Sequence, residues 1–315
     1  MTRITIEAIK AARDVIDPVF LNTPQFNCEP LSEALGCHLT LKVECLNPIR
    51  SFKGRGAETY MEAQPGKDTI VCASAGNFGQ AIAYAGRRRG IPVVVYAAEN
   101  ANPLKVERMR GFGAEVRLEG ADFDAAKDAS RRFAAENGLR LAVDSLDVET
   151  AEGAGTIGLE LAALDKIPET VVIPLGNGAM INGIATALKN AKPDIRIVAV
   201  QAARAPAMVE SLRTGRIVTT EAADTMADGI GVRVPVPEAL GDMEGLVDET
   251  LLVQEQTMIE AMRLVHRHLG LVVEPSGVVG LSAIIENPDR FAGKQVASIL
   301  CGGNLTPEQV KTWLS

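Results

Sequence analysis

The chain has no CxxC pair, no HExxH run and no apolar stretch of the roughly 18 residues that a bilayer span needs. Its five cysteines, Cys28, Cys37, Cys45, Cys72 and Cys301, form an odd set without paired spacing. That excludes a disulfide framework and a cysteine zinc site, and it points to reduced thiols in a cytoplasm. Histidine is scarce, and His266 and His268 lie two apart, so a helix would aim them at different sides. Positive charge is in deficit: 32 Lys and Arg face 40 Asp and Glu, for a net charge of −8. Neither nucleic acid nor an anionic membrane attracts such a surface. The basic run "GRRRG" at 86–90 closes a helical stretch, where it complements the helix dipole. The N-terminal "MTRITIEAIKAARDVI" is amphipathic and carries acids, so it reads as neither a signal nor a transit peptide.

What is present is an ordinary globular balance, 47% hydrophobic and 23% charged, over 315 residues. That is enough for one large or two modest domains. From residue 69 short β-rich runs alternate with helical ones: "TIVCAS", "PVVVYAA", "AEVRLEG" and "RLAVD", then "TVVIPLG", "IRIVAVQ", "ETLLVQ" and "QVASILC". Strands separated by roughly 10–15 helical residues describe βαβ units and parallel sheets. An α/β fold of two such layers is expected, the smaller spanning 65–146 and the larger 1–64 and 147–315, with a cleft between them. Ligands in such sheets sit beyond the carboxyl ends of the strands.

Four places then stand out. In "NPIRSFKGRGA", residues 47–57, Pro48, Ser51, Gly54 and Gly56 punctuate the chain just before the helix formers "AETYMEA". Lys53 is therefore expected at a helix start, a field that disfavours a second cation. Schiff-base chemistry needs a neutral, nucleophilic amine, and a solvated surface lysine is the alternative. "SAGNFGQ" at 74–80 follows a strand, and its backbone amides can converge on a carboxylate or make a plain βα turn. "PLGNGAMING" at 174–183 lets glycine backbone approach an anion at a helix start, although it matches no nucleotide motif. "CGGN" at 301–304 ends a buried strand, where Cys301 is either a small apolar residue or a neutral hydrogen-bonding partner. Amine, carboxylate loop, phosphate loop and neutral partner together describe one ligand.

"SFKGRGA", "SAGNFGQ", "PLGNGAM", "EPSGVVG" and "ILCGGN", in that order over residues 51–304, resemble the fold-type II pyridoxal-phosphate enzymes. The likeness is greatest to their serine/threonine dehydratase and serine racemase branch. It implies a tryptophan synthase β-like architecture of two three-layer, parallel-sheet domains, the larger binding the cofactor. It also implies that Lys53 is the catalytic lysine holding the cofactor as an imine, with Phe52 beside the ring and Asn77 on the ring hydroxyl. Ser74, Ala75, Gly76 and Asn77 would meet the substrate carboxylate, and Gly176, Asn177, Gly178, Ala179 and Met180 would cradle the phosphate. Cys301 would face the ring nitrogen, and Glu274 of "EPSG" would line the site without a defined task.

Three departures from the branch matter. The phosphate loop is usually four glycines, so Asn177 and Ala179 must fit through backbone geometry. Phe78 stands where the branch commonly has histidine, which implies a more apolar pocket, unsuited to an acidic substrate such as 3-hydroxyaspartate. Relatives activated by a divalent cation carry acids where this chain has Gln201, Ala205 and Ala207, so no metal is expected.

The resemblance implies β-elimination from L-threonine or L-serine to a 2-oxo acid and ammonia, because a thiol beside the ring nitrogen lacks the acidity that sustains transamination. With no histidine in the motifs, the proton for the departing hydroxide is expected from the cofactor phosphate. Racemisation needs an acid on the opposite face of Cα, where racemases carry serine and this chain has Ala75. β-Replacement, as in threonine or cysteine synthases, is a further alternative, and a non-catalytic amino-acid sensor would be expected to lack Lys53. A homodimer acting on a small amino acid is implied, without a C-terminal regulatory domain.

Overall fold

The computed structural model describes residues 3–315. It opens with α1 (Ile6–Val15), β1 (Gln25–Asn27), α2 (Glu29–Leu35), β2 (His38–Val43) and α3 (Lys53–Glu62). Strict alternation follows: β3 (Ile70–Ala73), α4 (Asn77–Arg89), β4 (Val93–Ala97), α5 (Pro103–Gly111), β5 (Glu115–Leu118), α6 (Phe123–Glu136) and β6 (Arg140–Ala142). Next come α7 (Val148–Ala162), β7 (Thr170–Pro174), α8 (Ala179–Ala191), β8 (Arg196–Ala202) and α9 (Ala207–Thr214). The remainder holds α10 (Pro237–Asp242), β9 (Glu249–Val253), α11 (Glu255–Leu269), α12 (Pro275–Glu286), α13 (Pro288–Phe291), β10 (Gln295–Leu300) and α14 (Pro307–Trp313).

The strands form a six-stranded sheet, β1-β2-β10-β7-β8-β9, and a four-stranded sheet, β5-β4-β3-β6. All pairings are parallel except β1 with β2, which gives the larger sheet an antiparallel edge that the periodicity did not reveal. Successive residues of a strand point to opposite faces, so β7 sends Val171 and Ile173 into one core and Val172 into the other. β10 divides likewise, Ala297 and Ile299 against Val296 and Leu300. Helices cover both faces, the three-layer α/β arrangement that parallel sheets require. The smaller sheet repeats it, with Ile70 and Cys72 facing α4 and Val71 facing α6. On this division we propose 65–146 as the small domain and 1–64 with 147–315 as the large one.

One helix departs from the local pattern. α7 runs through "VETAEGAGTIGLELA", which glycine makes a poor helix by propensity. The glycines are there for contact: a Cβ on Gly153 would sit 2.4 Å from the Arg55 carbonyl, and one on Gly158 would sit 2.7 Å from that of Ile184. The helix survives because it packs backbone to backbone against α3 and α8. The arginines of "GRRRG" do lie in the last turn of α4, and Arg88 and Arg89 also pair with the buried Glu58. Among the described residues no helix is long and apolar enough to cross a membrane.

Candidate active site

A cleft of about 890 Å³ lies where carboxyl ends of strands from both sheets meet, and it brings together every residue singled out above as site-forming. Lys53 is the first residue of α3. The segment before it is pinned to the end of β10: Phe52 N donates to the Cys301 carbonyl at 3.0 Å, and Ser51 bridges to Gly302. Lys53 Nζ stands 4.6 Å from the centre of the Phe52 ring and donates to Asp144 Oδ2 at 2.6 Å. Asp144 was missed from sequence. Its only signal was its place just beyond β6, the same strand-end rule that found the other loops.

In the loop after β3, Gly76 N donates to Ser74 Oγ and α4 starts at Asn77. The Asn77 side chain donates to Glu274 Oε1 at 2.7 Å and accepts from Asn304 Nδ2 at 2.8 Å. Glu274 Oε2 accepts from Asn304 N at 2.9 Å, so the undefined glutamate holds Asn77 in place. Burial, then the charge of Asp228, raises the Glu274 carboxyl above its ordinary range. Gly302 leaves it room, since a Cβ there would lie 2.3 Å from Glu274 Oε1. Phe78 is buried and lines the cleft.

The loop after β7 turns on Gly178, whose φ of 108° lies in the region that L side chains avoid. A Cβ there would also meet Met243 Cε at 2.4 Å. α8 follows with Ala179, whose N–H donates to Ser145 Oγ, and the buried Met180. Asn177 Oδ1 is buried without a partner among the described residues. Cys301 Sγ donates to the Ser276 carbonyl at 3.6 Å. Burial, aided by Glu274, pushes its thiol up, which keeps it uncharged. Gln201 is engaged elsewhere, its Oε1 accepting from Val209 N, and Ala205 and Ala207 are buried.

A family model described as pyridoxal-phosphate dependent enzyme matches residues 16–302. The chain belongs to this family. It is 35% identical over 307 residues to an L-threonine ammonia-lyase of Thermotoga maritima, covering 96% of this chain and 76% of the relative. It is 32% identical over 313 residues to a serine racemase of Arabidopsis thaliana, covering 95% and 93% of the two chains. Its fold superposes on a threonine deaminase from Solanum lycopersicum with a TM-score of 0.90 at 28% identity, over 98% of this chain and 85% of that one. Pyridoxal phosphate is the family's cofactor, and the cleft fits it: a helix start behind a left-handed glycine for the phosphate, an amine on Lys53 and an uncharged thiol on Cys301. Enzyme, cofactor and two-sheet α/β fold thus agree with the expectations from sequence.

Proposed function

We propose that this enzyme is a threonine/serine ammonia-lyase, converting L-threonine or L-serine to a 2-oxo acid and ammonia. The observation that carries the reading is the pairing of Lys53 with an uncharged Cys301 in one cleft, their backbones joined through Phe52. Names of relatives support it, the L-threonine ammonia-lyase of Thermotoga maritima first. When bound, pyridoxal phosphate supplies an electron sink for the pair left at the substrate's Cα. Lys53, at the start of α3 and beside Phe52, would hold it and would be the base that moves the Cα proton. Gly176 to Met180, at the start of α8, would hold the phosphate, and Phe52 would lie on the ring side of the cleft. Asn77, fixed by Glu274 and Asn304, orients the ring oxygen. Ser74 to Asn77 bind the substrate carboxylate at the start of α4. A Cys301 thiol held uncharged would give up no proton to a ring nitrogen beside it, which would favour loss of the β-hydroxyl over transamination. Overall the substrate would give up its Cα proton, taken by Lys53, and its β-hydroxyl as one water, and addition of water to the released product would give the 2-oxo acid and ammonia.

Racemisation is the second reading, favoured by the serine racemases among the relatives. Ala75 weighs against it, since a methyl group lining the cleft transfers no proton. Purified protein loaded with pyridoxal phosphate, given L- and D-β-hydroxy amino acids, decides: 2-oxo acid release is expected, and D-serine forming from L-serine as fast as pyruvate would overturn the assignment. A cytoplasmic homodimer belongs to the same reading, with a solution mass of twice 33.4 kDa as its check.

A further inference from the structure

Asp144 has no task in the proposed reaction, yet the fold aims it with care. It follows β6 into the cleft, and Oδ2 accepts from Lys53 Nζ at 2.6 Å. Oδ1 is buried and has no partner among the described residues. The next residue, Ser145, has a φ of 69°, a conformation uncommon outside glycine. It is fastened on three sides: its N–H donates to Thr150 Oγ1 at 3.1 Å, its Oγ accepts from Ala179 N at 3.1 Å and its carbonyl accepts from Arg3. Backbone held in such a region persists only where its surroundings over-determine it, and such places cluster at ligand sites.

A carboxylate offers about four acceptor positions, and an ammonium three donors. Once the Lys53 nitrogen is committed to the cofactor it no longer offers that set, and a half-buried carboxylate short of donors is costly. We infer that Asp144 selects the substrate side chain, accepting a hydrogen bond from a donor on the β-substituent, hydroxyl or ammonium, and repelling a β-carboxylate. The inference rests on Lys53 carrying the cofactor in this cleft. The competing cations are weakly placed. Lys105 and Arg233 are already paired, with Asp228 and Asp124. The Lys127 side chain makes no hydrogen bond or ion pair among the described residues, but burial, then Arg131, lowers its ammonium from the ordinary lysine range despite Asp124 and Asp128.

The test is binding, read from the change in the holoenzyme's visible absorption on adding L-alanine, L-serine, L-2,3-diaminopropionate or L-aspartate. Wild-type protein is expected to bind serine on the order of tenfold tighter than alanine, diaminopropionate tighter still and aspartate most weakly. D144A is expected to bring serine to the level of alanine, and D144N to tighten aspartate by about tenfold. Aspartate binding as tightly as serine in the wild type would assign the subsite to Lys127 and overturn the inference, as would variants that keep the wild-type order. Should either variant fail to fold, the wild-type ranking of the four ligands still decides. A wild-type protein that shows no visible band with pyridoxal phosphate overturns the Lys53 reading beneath it, whereas a normal band with an unchanged ranking overturns Asp144 alone.

Discussion

Lys53 and Arg55 stand two residues apart on the first turn of α3 and live in opposite worlds. Arg55 is fully buried, its Nε donating to Glu44 Oε2 at 2.9 Å and its Nη1 to Glu160 Oε1 at 2.6 Å, with Thr156 and Thr23 taking further bonds. Lys42 joins Glu160 from the other side and donates to the Thr23 carbonyl. The charges cancel, and no atom of these four ionic side chains is among the buried polar atoms left without a partner. Across the helix, the cleft keeps such atoms on Asp144, Asn177 and Ser276. Complete pairing holds a structure together. Leftover capacity around a reactive amine marks the place for a ligand.

The largest effects test that contrast directly. K53A is expected to lower 2-oxo acid release on the order of a thousandfold or more, with little change in the urea midpoint, because its one ion pair is partly exposed. R55M leaves Glu44 buried without its cation and Glu160 with Lys42 alone, which costs about 3–5 kcal/mol, read as a lower midpoint. Equal losses of stability in the two variants would dissolve the distinction.

A smaller effect sharpens it within the cleft. G178A forces an L side chain to a φ of 108° and against Met243, whereas G215A meets a φ of 65° with nothing within 4 Å. Both carry a backbone penalty of about 1–2 kcal/mol. Only G178A is expected to weaken pyridoxal phosphate binding, measured by equilibrium dialysis, and similar losses in both would remove the phosphate loop from the site.

The smallest effect is in pH. Burial alone would raise Glu160, but Arg55 and then Lys42 outweigh it and hold its carboxyl below the usual range. Its stabilisation is therefore present above the ordinary glutamate range and lost as pH falls through its folded value. Glu274 has the reverse sign. Its raised folded value means that the folded state binds the proton more readily, so its contribution is greatest below the ordinary range and declines as pH rises through the folded value. E274Q should remove that decline from urea midpoints measured between about pH 4 and 7. Parallel curves for E274Q and wild type would mean that burial does not raise the Glu274 carboxyl.

Much of this was open to reading along the chain. The alternation that yields β3 to β6 and β7 to β10, and the place of Lys53 at the start of a helix, follow from hydrophobic period and breaker residues. The strand-end loops could be found for the same reason. α7 was silent, because glycines at 153, 155 and 158 lower helix propensity while serving contacts with α3 and α8. Glu274 was visible as a motif residue without a task, since its partners Asn77 and Asn304 lie 197 and 30 positions away.

The order of amino acids by itself determined the local matters: which segments are strands and helices, where glycine lets backbone come close, and which amine stands at a helix start. Only the tertiary structure decided which charges are spent on one another. Lys53 meets Asp144 across 91 positions, and Arg55 meets Glu160 across 105. Helix and strand periods order side chains a few residues apart and say nothing at such distances, where the packing of α3 against α4 and α7 chooses the partner.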